Sequence, residues 1–139
     1  MANRTFAIVA AEFNRELIEG MIEAARQEMA AQGVELGSIL RVPGCYEVPL
    51  VAARAIADDA VDALIVLGYI ERGETLHGEV MGHVIHRALV DLQLKHGKPM
   101  GLGIIGPGAT VEQAQARRDD YARAAVRAAR RSCDLLAGS

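Results

Sequence analysis

The chain has 139 residues, of which 51% are hydrophobic and 4% aromatic, with no tryptophan, two cysteines and a formal net charge of −3. That length suits one domain with one core, residues 1–139, and a mild acidity without basic runs argues against a nucleic-acid surface. No apolar stretch approaches the roughly 18 residues that cross a bilayer, no signal-peptide pattern precedes the first strand, and Cys45 and Cys133 lack CxxC spacing. The expectation is a cytoplasmic protein with no disulfide framework, no metal site and no membrane contact.

Phe6-Ala7-Ile8-Val9-Ala10 is an apolar run that reads as a first buried strand. The polar turn Glu12-Phe13-Asn14-Arg15 follows, carrying one exposed-looking ring. From Glu16 the period becomes helical, with Ile18, Met21, Ile22, Ala25 and Met29 at spacings of three and four, and Gly33 is a helix stop. Residues 38–42 read as a second strand, ended by Pro43-Gly44. Cys45-Tyr46-Glu47 opens a helix with Pro49 in its first turn, and Asp58-Asp59 marks its exit.

Residues 63–67 are unbroken apolar sequence and read as a third strand, buried on both faces. The stretch Gly68-Tyr69-Ile70-Glu71-Arg72-Gly73-Glu74-Thr75-Leu76-His77 then reads as a glycine-bracketed loop leading to a helix over about 79–95. Residues 100–105 read as a fourth strand, with Gly101 and Gly103 permitting a bend or a close backbone approach. Gly106-Pro107-Gly108-Ala109 reads as a second glycine-rich turn. Thr110 and Gln113 match a capping box, and an Ala- and Arg-rich helix extends to about residue 136, with an expected break near Asp119-Asp120.

Four strands alternating with helices define an α/β fold: three layers, a four-stranded parallel sheet flanked by helices on both faces. In such a sheet the turns after the strands share one edge, where ligands bind. Phe13, the 44–47 turn, the 68–77 stretch and the 106–110 turn therefore converge. Backbone N–H groups at a helix N-terminus suit a phosphate, and a free imidazole titrates near 6.5, so His77 is suited to proton transfer. Position alone leaves His77 open as an ordinary loop histidine, and Gly73-Glu74-Thr75 alone reads as a tight turn with a cap. His83 and His86 resemble an i, i+3 metal pair, but no carboxylate sits at ligand spacing and a solvated face is the favoured reading.

Four segments, in order and correctly spaced, carry a resemblance: Ala11-Glu12-Phe13-Asn14; Val42-Pro43-Gly44-Cys45-Tyr46-Glu47-Val48-Pro49; Leu67-Gly68 through Gly73-Glu74-Thr75-Leu76-His77; and Val111-Glu112-Gln113-Ala114 with Arg117. Together they resemble the lumazine synthase family over essentially the whole chain, and Gly106-Pro107-Gly108 with Tyr121 resembles its archaeal-type branch. The resemblance implies a flavodoxin-like topology and a transferase that condenses 5-amino-6-(D-ribitylamino)uracil with 3,4-dihydroxy-2-butanone 4-phosphate. The product is 6,7-dimethyl-8-ribityllumazine, the penultimate step of riboflavin biosynthesis, made without metal or organic cofactor.

Carried over residue by residue, the resemblance makes His77 the proton shuttle, with Glu79 its expected orienting partner. Phe13 would stack on the pyrimidine, and Cys45, Tyr46, Glu47, Tyr69, Ile70 and Glu71 would line the ribityl and ring site. Glu74 and Thr75 would hold the phosphate, with Arg117 gripping it from a neighbouring subunit. Leu102 stands where many relatives place an aromatic against the uracil. The implied assembly is a pentamer with shared active sites, with twelve pentamers in a shell as the further expectation. Two other readings compete: an archaeal-type riboflavin synthase of the same fold, which needs no phosphate site, and a flavin-binding shell protein without catalysis.

Overall fold

The computed structural model describes residues 3–138. Its strands are β1 (Thr5–Ala11), β2 (Glu35–Val42), β3 (Ala63–Glu71) and β4 (Met100–Ala109). Its helices are α1 (Arg15–Ala31), α2 (Val48–Ile56), α3 (His77–His96) and α4 (Val111–Leu136), with a short 3-10 turn at Cys45–Glu47 ahead of α2. All strand pairs are parallel, in the order β2-β1-β3-β4, which is the expected three-layer α/β fold.

The period of two along β1 and β3 divides the core. Phe6, Ile8, Ala10, Ile65, Leu67 and Tyr69 face α1 and α4, while Ala7, Val9, Leu64, Val66 and Ile70 face α2 and α3. Strands covered on both faces need apolar residues at every position, which is why residues 63–67 lack alternation. Helix α1 buries the expected Ile18, Met21, Ile22, Ala25 and Met29. Its N-cap, Asn14, is left-handed at φ 63, a conformation that asparagine tolerates. Gly33, at φ 71, turns the chain after α1.

Three differences from the sequence reading shape the carboxyl edge and α4. Strand β3 continues through Glu71, so Gly68, Tyr69, Ile70 and Glu71 are strand rather than loop. Their partners are the second difference: β4 runs on to Ala109, and Glu71 pairs with Ala109 across a register shift. Gly106 and Gly108, at φ 96 and 97, let this end of β4 bulge without leaving the sheet. Third, α4 is unbroken at Asp119-Asp120. Both aspartates face solvent, Asp119 pairs with Arg118 at 3.3 Å, and the buried row Ala114, Ala122, Ala125, Ala129 holds the helix through that point. The Thr110–Gln113 capping box forms in both directions.

The amino ends of the strands are fastened by polar side chains. Arg4 pairs with Asp134 and holds its carboxyl below the usual range, and the Thr5 N–H donates to Asp62 Oδ2 at 2.8 Å. Lys98 Nζ donates to the carbonyls of Ile56 and Asp58 at 3.0 and 2.9 Å.

Gly101 and Gly103 permit the close approach anticipated from sequence. A methyl group on Gly101 would overlap the Ala125 carbonyl, and one on Gly103 would lie 2.9 Å from Leu67 Cδ2. Gly101→Ala is expected to destabilise the fold by about 2–3 kcal/mol, the cost of forcing a packed helix off its strand. Urea unfolding measures this; an unchanged midpoint would show that α4 gives way freely.

Candidate active site

The turns after β1, β2 and β3 enclose a cavity of about 450 Å³ at the carboxyl edge of the sheet. Phe13, Cys45, Glu47, Tyr69, Ile70, Glu71, Thr75 and His77 all line it, together with Gly78 and Met81. So eight of the anticipated residues meet in one place.

Phe13 is 49% exposed, and its ring stacks on that of Tyr69 with centroids 6.3 Å apart and planes at 27°. One face is thus supported and the ring remains accessible. Tyr69 itself is only 1% exposed. Its hydroxyl donates to the Ala109 carbonyl at 2.9 Å, and burial raises its pKa, assisted by the charges of Glu71 and Glu112. Cys45 is buried at the cavity floor against Gly68, where a methyl group would come within 3.0 Å of its sulfur. The thiol donates to the Tyr69 carbonyl at 3.9 Å, and burial pushes its pKa up to about 11. It is a neutral thiol across the physiological range.

His77 is the first residue of α3, two positions before the expected helix start. The Thr75 hydroxyl accepts the His77 N–H at 3.3 Å, which opens the helix after a five-residue connection. The amides of this first turn have no intrahelical acceptors, so they and the dipole behind them favour an anion beside Thr75. The imidazole lies 6.0 Å from the Tyr46 ring, tilted by 59°. Glu79 lines a different hollow, also of about 450 Å³, with Arg72, His83, Pro107 and Gly108. It is therefore not placed as the partner of His77, because residues two apart on a helix point to different sides. The two hollows adjoin through Glu71, Gly73, Thr75 and Gly78.

Four anticipated residues do not line the first cavity. Tyr46 stands beside it, against His77, and Glu74 is exposed on the connection. Leu102 lines a separate hollow of about 480 Å³ with Asp120, Tyr121 and Ala125, on the β4 side of the sheet. Arg117 is exposed on α4. Leu102 belongs to the opposite flank from Phe13, since β1 is separated from β4 by β3.

The sequence places Pro107 in the converging 106–110 turn but not its packing: it fits into a notch on α3. A methyl group on Gly82 would lie 2.8 Å from Pro107 Cδ, and one on Gly78 would lie 3.1 Å from Ile70 Cγ2. Two glycines in the first two turns of a helix were the available signal. Close packing there fixes where the N-terminus of α3 points. His86 Nδ1 lies 2.7 Å from the Gly82 carbonyl, so it carries the proton. Among the described residues no group of three or more His, Cys, Asp or Glu is arranged to hold a metal, and no helix is long and apolar enough to cross a membrane.

The family model described as 6,7-dimethyl-8-ribityllumazine synthase matches residues 3–137. Relatives bearing that name are 42% identical in Staphylothermus marinus, over 87% of this chain and 81% of theirs, and 38% identical in Metallosphaera sedula, over 95% and 90%. A third, in Aeropyrum pernix, is 42% identical over 93% of this chain and 91% of its own. The chain belongs to the 6,7-dimethyl-8-ribityllumazine synthase family.

The raised pKa of Cys45 makes a direct prediction. Only the thiolate is alkylated readily, so at pH 7.5 Cys45 should react with iodoacetamide roughly a hundredfold more slowly than in the unfolded chain. The rate should climb as pH rises toward 11. Peptide mass spectrometry reads it; equal native and unfolded rates would show that the thiol is not buried. By linkage, the raised folded pKa leaves stability intact below the unfolded value and erodes it as pH rises through the folded one.

Proposed function

We propose that this chain condenses 5-amino-6-(D-ribitylamino)uracil with 3,4-dihydroxy-2-butanone 4-phosphate to give 6,7-dimethyl-8-ribityllumazine. The observation that carries this is one cavity holding a supported aromatic face, a helix N-terminus and an imidazole. Those are the three things the reaction needs: a surface for a flat pyrimidine, a seat for a phosphate and a carrier of protons.

The pyrimidine stacks on the exposed face of Phe13, where ring quadrupoles favour offset contact. Cys45, Tyr46 and Glu47 border the ribityl chain, and Tyr69, Ile70 and Glu71 flank the ring. The phosphate lies at the start of α3 against Thr75 and Glu74, held by backbone N–H groups. The substrate amine adds to the ketone and water departs, leaving a Schiff base. His77 removes and returns protons as inorganic phosphate leaves, and the second amine closes the ring with loss of another water. The leaving group departs as a stable anion, so the residues supply positioning and proton transfer.

Arg117 and Leu102 enter this scheme from a neighbouring subunit. The placement of Leu102 on the flank opposite Phe13, and the exposure of Arg117 outside the cavity, support that role. The assembly is then a pentamer with five shared sites, and a shell of twelve pentamers is the larger form in view. The single domain works in the cytoplasm.

The test follows lumazine formation by absorbance against a protein-free blank. Wild type should exceed the blank. Arg117→Ala should raise KM for the butanone phosphate by roughly 10- to 100-fold, as loss of a charge-assisted bond implies, while KM for the uracil stays within a factor of about two. His77→Ala should lower kcat by on the order of a hundredfold. A wild-type rate equal to the blank in folded protein would sink the catalytic reading. A monomer by native mass spectrometry would sink the shared site.

A further inference from the structure

Tyr69 raises a question that a lining role does not answer. It is a long polar side chain in the middle of the core, 1% exposed, with its hydroxyl carried to the far end of β4. A buried phenol needs a hydrogen-bond partner, and the partner it finds is informative. The Ala109 carbonyl accepts both the Tyr69 hydroxyl at 2.9 Å and the Arg72 backbone N–H at 3.0 Å. A carbonyl oxygen has two lone pairs, and these two donors use both.

Three parts of the site meet at that oxygen. Arg72 is the first residue after β3 and starts the connection that carries Thr75 to His77. Ala109 ends β4, one residue before the Thr110 cap of α4. The Tyr69 ring supports Phe13. We propose that Tyr69 is a positioning residue: its ring holds the Phe13 stacking face, and its hydroxyl, through the Ala109 carbonyl it shares with the Arg72 amide, holds the phosphate loop. One side chain thereby sets the distance between the two substrate subsites. The proposal rests on the function proposed above, and it separates the two ends of the side chain into two measurable roles.

The neighbouring geometry explains why the loop needs this bond. The β3–β4 register shifts between Tyr69 and Glu71, where Gly106 and Gly108 take positive φ. Regular ladder pairing lapses there, so the start of the connection is fixed by the Ala109 carbonyl instead. A phenylalanine at position 69 would keep the stack and leave that carbonyl with one donor. A leucine would lose both.

The test compares wild type, Tyr69→Phe and Tyr69→Leu as full-length assembled protein. Three quantities are read: hydrogen–deuterium exchange of residues 70–76 without ligand, the Kd for inorganic phosphate, and the Kd for 6,7-dimethyl-8-ribityllumazine by its fluorescence. Tyr69→Phe should speed exchange at residues 72–76 and weaken phosphate by about two- to tenfold, the range for one neutral hydrogen bond. It should leave the lumazine Kd within about twofold. Tyr69→Leu should weaken both ligands, the lumazine by roughly two- to tenfold for the lost ring contact. Wild-type exchange in Tyr69→Phe would overturn the proposal, as would equal weakening of both ligands by that variant. If wild type bound neither ligand, the proposed function would fail instead, and the exchange measurement would still decide whether the hydroxyl holds the loop. Tyr69→Phe keeps the ring and removes only the hydroxyl, so misfolding of the leucine variant would not cloud the result.

Discussion

The close seating of α3 and α4 against β4 is the constraint on which the site depends. Gly101 and Gly103 leave no side chains between β4 and the Ala125 turn of α4. Gly82 leaves room for Pro107 in the side of α3. These approaches are contacts of backbone and ring with few adjustable atoms, so the helices have little latitude. The start of α3, with His77, is directed by that packing together with the Thr75 hydroxyl, since Leu76 at the N-cap supplies no side-chain cap.

Much of this was legible in the chain, for reasons that can be named. A both-faces-buried strand has to be apolar throughout, so residues 63–67 announced themselves, and the α1 stripe from Ile18 to Met29 had only one regular period available. Because all four strands are parallel, the turns that follow them share an edge, and Phe13, Cys45, Glu47, Thr75 and His77 could be placed together without coordinates. Other parts were hidden by local chemistry that points two ways. Gly106-Pro107-Gly108 has turn composition, yet positive-φ glycines also serve a bulged strand end. Gly78 made the first turn of α3 look like loop, whereas its missing side chain accommodates Ile70 and the Glu71 carbonyl.

The link from Tyr69 to Ala109 spans 40 residues and leaves no periodic trace. In the sequence, the roles of Leu102 and Arg117 rest on the family resemblance alone. Nothing in their local pattern distinguishes them from an edge-strand leucine and a solvated arginine, and within one subunit neither lines the cavity that holds Phe13. The proposed division of the site has a specific physical logic. The aromatic face and helix N-terminus are fixed by a subunit's own core, while a cation delivered across an interface would be present only when the assembly is.

The sheet also has a functional polarity. Its carboxyl edge holds the exposed ring, the imidazole and the open amides, whereas its amino edge is closed by Arg4 with Asp134, by Asp62 under Thr5, and by Lys98 bridging the Ile56 and Asp58 carbonyls. These fastenings lie a full strand length from the chemistry, at roughly 20–30 Å for strands of this size. Thermal tolerance and turnover are therefore addressable separately: the base can be rebuilt for harsher conditions while the rim is left untouched. A lineage moving between hot and temperate habitats would have that same freedom, accumulating change at one end of the barrel-less sheet and conserving shape at the other.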